Sequence, residues 1–418
     1  MNKSRLFLAS CVALVTTSMV FSIRGDILDA LGADFNLTNE QLGQVLSPAF
    51  WGFTISIVLG GSLVDFFGMR RLLLLSGFGY IGAVLAIIFA PTPTGPVSGL
   101  FQDTGVVILY MSMLTLGLSQ GLVEGVINPL CSTLYPEEKT RRMNILHAWW
   151  PGGLIIGGLL AFAITKAMGL DGNVSAAVAT FGWQMKLSTI LVTALAFLVM
   201  VRGQEFPATE RVTAGVSNSD MLREVFRPMF LLLWACMWLT ASTELAPDQW
   251  VASLVTNLTG MQGILLLVYT AGIMFALRFF GGGVTSRFSP FAVLTTSSIL
   301  SAIGLYQLGA ASTMTDAFIA ATIFGVGKTY FWPVMLGLTA ELFPKGGALA
   351  LAIMGGTGNL AIAFILPVIG RWYDTEGAAA AFQYVARLPI VLVFLFAGLY
   401  LYFRAKGGYK AVKLDSAG

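Results

Sequence analysis

Long apolar runs alternate with short polar or Gly/Pro-rich pieces along the whole chain. A helix needs roughly 20 residues to cross the hydrocarbon core of a bilayer, and these runs reach that length. Their length and glycine content do not suit buried strands, and outer-membrane strands would alternate apolar and polar positions over about ten residues. The pattern therefore predicts twelve membrane-spanning helices. Their approximate bounds are 6–32, 42–64, 71–90, 105–134, 146–167, 184–201, 228–254, 262–284, 290–310, 316–342, 347–369 and 384–403.

Composition and the longest polar connection indicate how these helices are organised. Of the 418 residues, 56% are hydrophobic and only 11% are charged, which favours an all-α membrane protein over two or three soluble domains. The polar stretch 202–227 divides the spans into six and six. This division predicts two pseudo-symmetric six-helix bundles with a substrate site between them near mid-membrane. The predicted units are an N-terminal bundle (1–201), a cytoplasmic linker (202–227), a C-terminal bundle (228–403) and a cytoplasmic tail (404–418).

The basic residues predict the orientation. With both termini in the cytoplasm, about seventeen of the 24 Lys and Arg residues fall in cytoplasmic segments. The outer loops then hold only Lys166, Lys186, Arg371 and Arg387. This bias predicts a multi-pass protein of the plasma (cytoplasmic or inner) membrane. The net charge of +3 reflects this topology, so nucleic-acid binding is not invoked.

The N-terminus and the cysteines point to no further chemistry. Lys3 and Arg5 precede an apolar run that continues well past Cys11, so we expect a retained first span and no cleaved signal peptide. All three cysteines fall inside predicted spans, where small apolar packing is their usual role. The sequence has no nucleophile elbow, phosphate loop or clustered His/Cys ligand set. We therefore expect neither an enzyme nor a metal or cofactor site.

Seven ionisable residues within the spans are candidates for the site. Each would cost roughly 3 kcal/mol at mid-membrane, so they should line a polar cavity or pair with one another. Three are cations and four are carboxylates, so one bound proton would make the set neutral. The residues are Arg24, Asp26, Glu124, Glu244, Asp248, Arg278 and Lys328.

Glu124 lies beside a stripe of glycines at positions 117, 121 and 125, a spacing that lets helices pack closely. Asn128 shares its helix face four residues later, and Pro129 bends or loosens the helix after it. A carboxylate held away from water in this way has the property that a proton carrier needs. The alternative is a structural carboxylate paired with a cation on a neighbouring helix.

The segment after the second span, "GSLVDFFGMRR", resembles the G-x-L-x-D-x-x-G-x-R-R loop of the major facilitator superfamily, a large family of twelve-helix secondary transporters. In that family the loop is a gate element, which here comprises Gly61, Asp65, Gly68, Arg70 and Arg71. The second half has "GGVTSRFSP" at the equivalent place, with Ser286 where the Asp would stand.

Within the superfamily, "GLVEGVINP" and "RRMNILHAWWPGG" resemble the fourth- and fifth-helix motifs of the fucose permease-like sugar:proton symporters. "GDILDALGADFNLTNEQ", "TASTELAPDQW" and "MGGTGNLAIAFILPVIG" are similar to segments of that branch in helices 1–2, 7 and 11. The resemblance implies that Asp26 and Glu124 act in proton coupling. It also implies that Asn128, Asn144 and His147 turn polar groups toward the cavity.

The second half carries features that a plain sugar site does not explain. Pro247 lies between Glu244 and Asp248 and predicts a helix break at a cavity. Trp250 and Trp332 are candidates for stacking on a sugar ring. Arg278 and Lys328 either neutralise the interior carboxylates or bind an anion.

The functional expectation is secondary active transport of a small polar solute through alternating access. A monosaccharide carried by proton symport is the first candidate, with Na⁺ as an alternative coupling ion. The alternative is an organic-anion or acidic-sugar transporter that uses Arg24, Arg278 and Lys328. A third reading is a non-transporting membrane sensor. We expect the protein to act as a monomer whose partners are the substrate, the coupling ion and the lipid bilayer.

Overall fold

The computed structural model describes residues 2–135, 139–207, 218–280, 287–410 and 412. Over these ranges the chain forms helices and no strand. The helices are α1 (Lys3–Asp26), α2 (Leu28–Phe35), α3 (Asn39–Phe67), α4 (Met69–Ile88), α5 (Thr104–Leu134), α6 (Lys139–Met168), α7 (Ala176–Val201), α8 (Asn218–Val225), α9 (Pro228–Glu244), α10 (Ala246–Thr259), α11 (Ile264–Phe280), α12 (Pro290–Ala310), α13 (Met314–Lys328), α14 (Phe331–Leu342), α15 (Gly347–Val385) and α16 (Arg387–Ala405).

The described helices account for the twelve predicted passes. Ten helical segments are long and apolar enough to cross a membrane, and the shorter helix Ile264–Arg278 adds one more. The last of the ten, Leu349–Ala405, contains two passes, because two helices meet at the non-helical residue Gly377. The spans predicted from hydropathy therefore correspond to helices of the structure.

Three helix pairs make the most extensive contacts between the first group of helices, α1 to α7, and the second group, α9 to α16. These pairs are α1 with α10, α3 with α15, and α6 with α11. We call the side on which α1 begins and α16 ends the terminal face. The opposite side, on which α2 ends and α3 begins, is the far face.

Three predicted spans are broken helices. The seventh breaks at Leu245, two residues before Pro247, as the sequence predicts. The first breaks at Ile27 and the tenth at Thr329–Tyr330, although both were expected to be continuous. An apolar count finds these runs but does not detect the breaks, because the residues at the breaks remain apolar or small.

The sixth span begins earlier than predicted, and this changes the environment of one cation. The side chain of Ser175 accepts a hydrogen bond from the Val178 amide and starts α7 at Ala176, eight residues before the expected start at 184. Lys186 therefore lies inside the helix and is buried, so its assignment to an outer loop is wrong. The cap decides the start of this helix, and hydropathy does not register it.

Glycines bring α3 and α15 into backbone contact near the far face. A Cβ on Gly43 would lie 2.6 Å from the Leu366 carbonyl oxygen, and one on Gly370 would lie 2.3 Å from the Asn39 carbonyl oxygen. Both distances are too short for any side chain. The absence of a Cβ at these positions is therefore required for the two groups of helices to meet here.

Asp374 of α15 fastens the N-terminus of α3 across this seam. Its carboxylate accepts hydrogen bonds from the Asn39 amide (3.2 Å), the Asn39 side chain (2.9 Å) and the Glu40 amide (2.8 Å). Arg371, one turn earlier, pairs with Glu40. A carboxylate at a helix N-terminus is favourable because it meets unpaired amides and the positive end of the helix dipole. We call Asp374, Arg371, Asn39 and Glu40 the far-face latch.

We expect Asp374→Asn to loosen the far face, because the neutral amide loses the charge that interacts with the α3 N-terminus. A loss of about 1 kcal/mol would raise the open-to-closed ratio roughly fivefold. The measurement is the maleimide labelling rate of Ser47→Cys, since Ser47 lies in the α3–α15 seam and donates to the Ala363 carbonyl.

Asp316→Asn is the matched control. Asp316 is also an exposed carboxylate in the first turn of a helix, but it bonds to Thr313 of its own helix start. Its variant should leave the labelling rate unchanged, and equal rates for the two variants would contradict the latch.

Candidate functional site

Arg24 lies in the last turn of α1, at the contact between α1 and α10, and is 2% exposed. Its Nε donates to Gln249 Oε1 at 2.8 Å, and Gln249 in turn donates to the Phe21 carbonyl at 3.0 Å. The guanidinium lies over the rings of Phe50 (4.7 Å) and Phe21 (5.7 Å). In the described part of the chain it has no carboxylate partner. Arg24 is thus a buried cation held by an amide and two rings.

Glu124 lies on α5, where Gly117 and Gly121 press against the backbone of α3. A Cβ on Gly117 would approach the Ala49 carbonyl oxygen to 2.2 Å. Among the described residues, the Glu124 carboxylate makes no hydrogen bond and no ion pair. The sequence left open that Glu124 is a structural carboxylate paired with a cation on a neighbouring helix. The described residues show no such ion pair.

Tyr80 connects the surroundings of these two groups. It is fully buried, and its hydroxyl lies 2.7 Å from Thr17 Oγ1 on α1. It is within electrostatic range of both Glu124 and Arg24. The unpartnered carboxylate of α5 and the buried cation of α1 thus both lie near one tyrosine.

Asp26 has a resident partner. Lys186 Nζ lies 2.6 Å from Asp26 Oδ2, and both side chains are 10% exposed. Asp26 and Glu124 were predicted as two equivalent candidates for proton coupling. The structure distinguishes them, because only Asp26 is neutralised by a lysine.

The two interior cations of the second half are also paired. Lys328 Nζ lies 2.6 Å from both carboxylate oxygens of Asp248, and the pair is buried. Arg278 Nη2 donates to Glu244 Oε1 at 2.8 Å. Of the two roles the sequence left open for Arg278 and Lys328, this arrangement shows neutralisation of carboxylates.

Asn128 and His147 meet between α5 and α6, with Asn128 Oδ1 3.0 Å from His147 Nε2. His147 is exposed and lies within electrostatic range of Arg278 on α11. These two predicted cavity residues are therefore neighbours. The side chain of Asn144 lies outside the described residues.

The two candidate tryptophans pack against protein. Trp250 is fully buried, with its ring edge-on to Tyr373 at 6.1 Å. Trp332 is partly buried, and a Cβ on Gly358 would touch its ring at 2.6 Å. In this arrangement Trp250 lies in the protein core on α10, with its ring against Tyr373.

The predicted gate loop lies at the terminal face. Gly68 is the single residue between α3 and α4, and its φ of +81° allows the chain to turn there. Arg70 and Arg71 are exposed in the first turn of α4. The surroundings of Gly61, the side chain of Asp65 and residue Ser286 of the second copy lie outside the described part of the chain.

Sequence reasoning missed three residues that hold the site together: Lys186, Gln249 and Tyr80. The signal for Lys186 was the Ser175 cap, which starts the helix early enough to bury it. Gln249 and Tyr80 carry no charge, so a search for ionisable residues passes over them. Only the packing of α1 against α10 and α4 reveals their role.

The family model described as "Major Facilitator Superfamily" matches residues 6–291. Among curated proteins, the gentisate transporter of Corynebacterium glutamicum is 24% identical over 359 residues, covering 81% of this chain and 74% of that protein. "Probable anion transporter 4, chloroplastic" of Oryza sativa subsp. japonica is 22% identical over 154 residues, covering 37% of this chain and 22% of its own length. The chain thus spans about a quarter or less of the first plant relatives that it matches.

Among solved structures, a D-xylose-proton symporter superimposes with a TM-score of 0.79 at 14% identity, covering 95% of this chain and 97% of that chain. The E. coli fucose:proton symporter gives a TM-score of 0.61 at 17% identity, covering 94% and 98%. These likenesses confirm the predicted fold class, an all-α membrane protein of two six-helix bundles.

We expect Asp26→Asn to destabilise the protein strongly, because it leaves the buried Lys186 without a counter-ion. Breaking a buried pair from one side costs about 3–5 kcal/mol, whereas removing both charges costs much less. The free energy of unfolding of the detergent-solubilised protein should therefore fall for Asp26→Asn and largely recover in Asp26→Asn/Lys186→Met.

Glu124→Gln provides the comparison, since it removes a carboxylate that has no described partner. Its change in stability should stay within about 1 kcal/mol. A Glu124→Gln loss as large as that of Asp26→Asn would mean that Glu124 also serves a structural charge.

Proposed function

Because the chain belongs to the major facilitator superfamily, we propose that it moves a small organic anion together with protons by alternating access. The observation that carries this proposal is Arg24, the interior cation that has no carboxylate partner among the described residues. In this mechanism Arg24 binds the carboxylate of the substrate, and Glu124 binds the proton.

The charges of the interior support the coupling. Lys186 joins the seven ionisable residues found from the sequence, which gives a set of eight interior residues. Among the described residues, three ion pairs neutralise six of this set and leave Arg24 and Glu124. With Glu124 ionised the site is neutral when empty. With Glu124 protonated it carries one positive charge, which a monovalent anion neutralises.

This balance makes proton and anion binding mutually dependent. An anion entering beside an ionised Glu124 would leave a net negative charge away from water, which is costly. Protonation of Glu124 removes that cost, so each ligand increases the affinity for the other. Symport follows when the loaded and empty forms, both neutral, exchange faces more readily than the singly loaded forms.

The exchange of faces is a rocking of the N-terminal bundle (1–201) against the C-terminal bundle (228–403) about this site. The site lies between the two bundles of one chain, so we propose a monomer in the plasma membrane with both termini in the cytoplasm. The far-face latch closes one side in the present structure.

The relatives support an anionic substrate. Among curated proteins the chain matches a gentisate transporter over most of its length and several anion transporters over shorter stretches. A carboxylate is the chemistry that Arg24 recognises best, since its guanidinium matches two oxygens at once.

A neutral monosaccharide carried by proton symport is the second candidate, and Asn128 with His147 favours it. Their amide and ring nitrogens supply the donors and acceptors that sugar hydroxyls require. The solved sugar symporters share the fold of this chain at 14% and 17% identity. On this reading Arg24 has a structural role.

Proton flux into proteoliposomes separates the two candidates. External pH is recorded while benzoate, gentisate, ascorbate, a uronate, D-xylose and L-fucose are added in turn, in Na⁺-free and Na⁺-containing buffer. We expect alkalinisation with one of the carboxylates and none with the neutral sugars. Alkalinisation with a neutral sugar alone would overturn the assignment of an anionic substrate. A response that requires Na⁺ would overturn the assignment of the proton as the coupling ion.

Two substitutions assign the roles of the unpaired charges. Arg24→Gln should abolish binding and transport of the active anion, since the site loses its cation. Glu124→Gln should retain exchange of substrate across the membrane while losing accumulation driven by a pH gradient. Lys166→Gln is the control, because Lys166 pairs with Asp171 at an exposed position outside the site. If Glu124→Gln accumulates substrate as well as the wild type does, Glu124 is not the residue that couples transport to the proton.

A further inference from the structure

Helix breaks in a membrane protein leave backbone groups that need partners, and the break in the tenth span lies beside an ion pair. Helix α13 ends at Lys328 and α14 begins at Phe331. Tyr330, at the N-cap position of α14, makes no side-chain capping bond. The first amides of α14 and the last carbonyls of α13 must therefore be satisfied from elsewhere.

Glu244 and Arg278 supply these partners from two other helices. Glu244 Oε2 accepts a hydrogen bond from the Trp332 amide, in the first turn of α14, at 3.0 Å. Arg278 Nε donates to the carbonyl of Thr329, just after α13, at 3.0 Å. The two side chains bond to each other at 2.8 Å. One ion pair therefore occupies both ends of the break.

The polarity of this arrangement is fixed by the helices. The anion lies at the N-terminus of α14, where the helix dipole is positive, and the cation lies at the C-terminus of α13, where it is negative. The side chain of Glu244 is only 2% exposed. Glu244 is also the last residue of α9, so its bond to the Trp332 amide connects the break in the seventh span to the break in the tenth span.

We propose that Glu244 and Arg278 are positioning residues that brace the break between α13 and α14 and do not bind substrate. The brace fixes the direction in which α14 leaves α13. Lys328 and Trp332, which flank the break, are held in place by it. This inference goes beyond the transported substrate, because it concerns how the C-terminal bundle keeps its shape.

The neighbouring pair Asp248–Lys328 serves as the comparison. It joins α10 to the last residue of α13 and is buried, and among the described residues its two side chains hydrogen-bond only to each other. Such a pair provides mutual neutralisation without a bond to the helix backbone. Asp248 lies in the first turn of α10 and Lys328 in the last turn of α13, so exchanging their charges carries the same helix-dipole cost. Only the exchange of Glu244 and Arg278 also removes the bonds to the Trp332 amide and the Thr329 carbonyl.

Charge exchange tests this difference. Glu244→Arg/Arg278→Glu would place a cation at the start of α14 and an anion at the end of α13. Glu244→Gln is the gentler variant, which keeps an acceptor for the Trp332 amide but removes the charge. Asp248→Lys/Lys328→Asp is the matched exchange at the comparison pair.

The readout is the distance between spin labels on either side of the break, measured in detergent-solubilised protein. Ile319→Cys on α13 and Gly337→Cys on α14 are suitable sites, because Ile319 is 57% exposed and a side chain at Gly337 would meet open space. The three native cysteines are buried and offer little background. This measurement needs no substrate, so it stands whether or not anion transport is found.

We expect a single narrow distance distribution in the unmodified background. It should broaden or shift in Glu244→Gln and more so in Glu244→Arg/Arg278→Glu. The Asp248/Lys328 exchange, which carries the same dipole cost but keeps both backbone bonds of the break, should change it much less. A narrow, unshifted distribution in the Glu244/Arg278 exchange would overturn the brace, since a simple neutralising pair tolerates exchange.

Transport kinetics of Glu244→Gln give a second readout, with the active carboxylate of the proteoliposome panel as the probe. A positioning residue should lower the maximal rate at least severalfold and leave KM close to its original value. A rise in KM at an unchanged maximal rate would make Glu244 a substrate ligand and overturn the proposal.

Discussion

The interior of this protein depends on neutralising charge away from water. The set of eight interior residues defined above contains four cations and four carboxylates, and each isolated charge would cost several kcal/mol away from water. Three pairs solve this problem at fixed positions: Asp26 with Lys186, Glu244 with Arg278, and Asp248 with Lys328. Among the described residues, Arg24 and Glu124 remain unpaired, and these are the two groups to which we assign the substrate and the proton.

A related constraint acts on the ends of helices. Asp374 reaches across the seam to the first amides of α3, and Glu244 reaches from α9 to the first turn of α14. In both places a carboxylate of one helix caps another helix, and the geometry of the contact sets the orientation of the two elements. The latch acts between the bundles and the brace acts within one bundle. The first contact must break when the far face opens, whereas the second can persist through the cycle.

The buried charge of Arg24 is stabilised by neutral groups. Gln249 orients the guanidinium from the opposite bundle, and the rings of Phe50 and Phe21 stabilise it by cation–π contact. These contacts are weaker than an ion pair, so an entering carboxylate can compete for the guanidinium. Because Gln249 belongs to the other bundle, the same exchange would change a contact between the two bundles.

The sequence by itself determined the membrane class, the spans and seven of the eight residues of the interior set. Hydropathy found the spans because crossing a bilayer imposes a length and an apolar character on each helix. Charge in an apolar run identified seven of the eight interior ionisable groups, and Pro247 marked the break beside Glu244. Only the tertiary structure decided which charges pair, because pairing joins residues such as Asp26 and Lys186 that are 160 positions apart. It also revealed Gln249 and Tyr80, whose roles arise from packing and leave no charge or periodicity in the sequence to find them by.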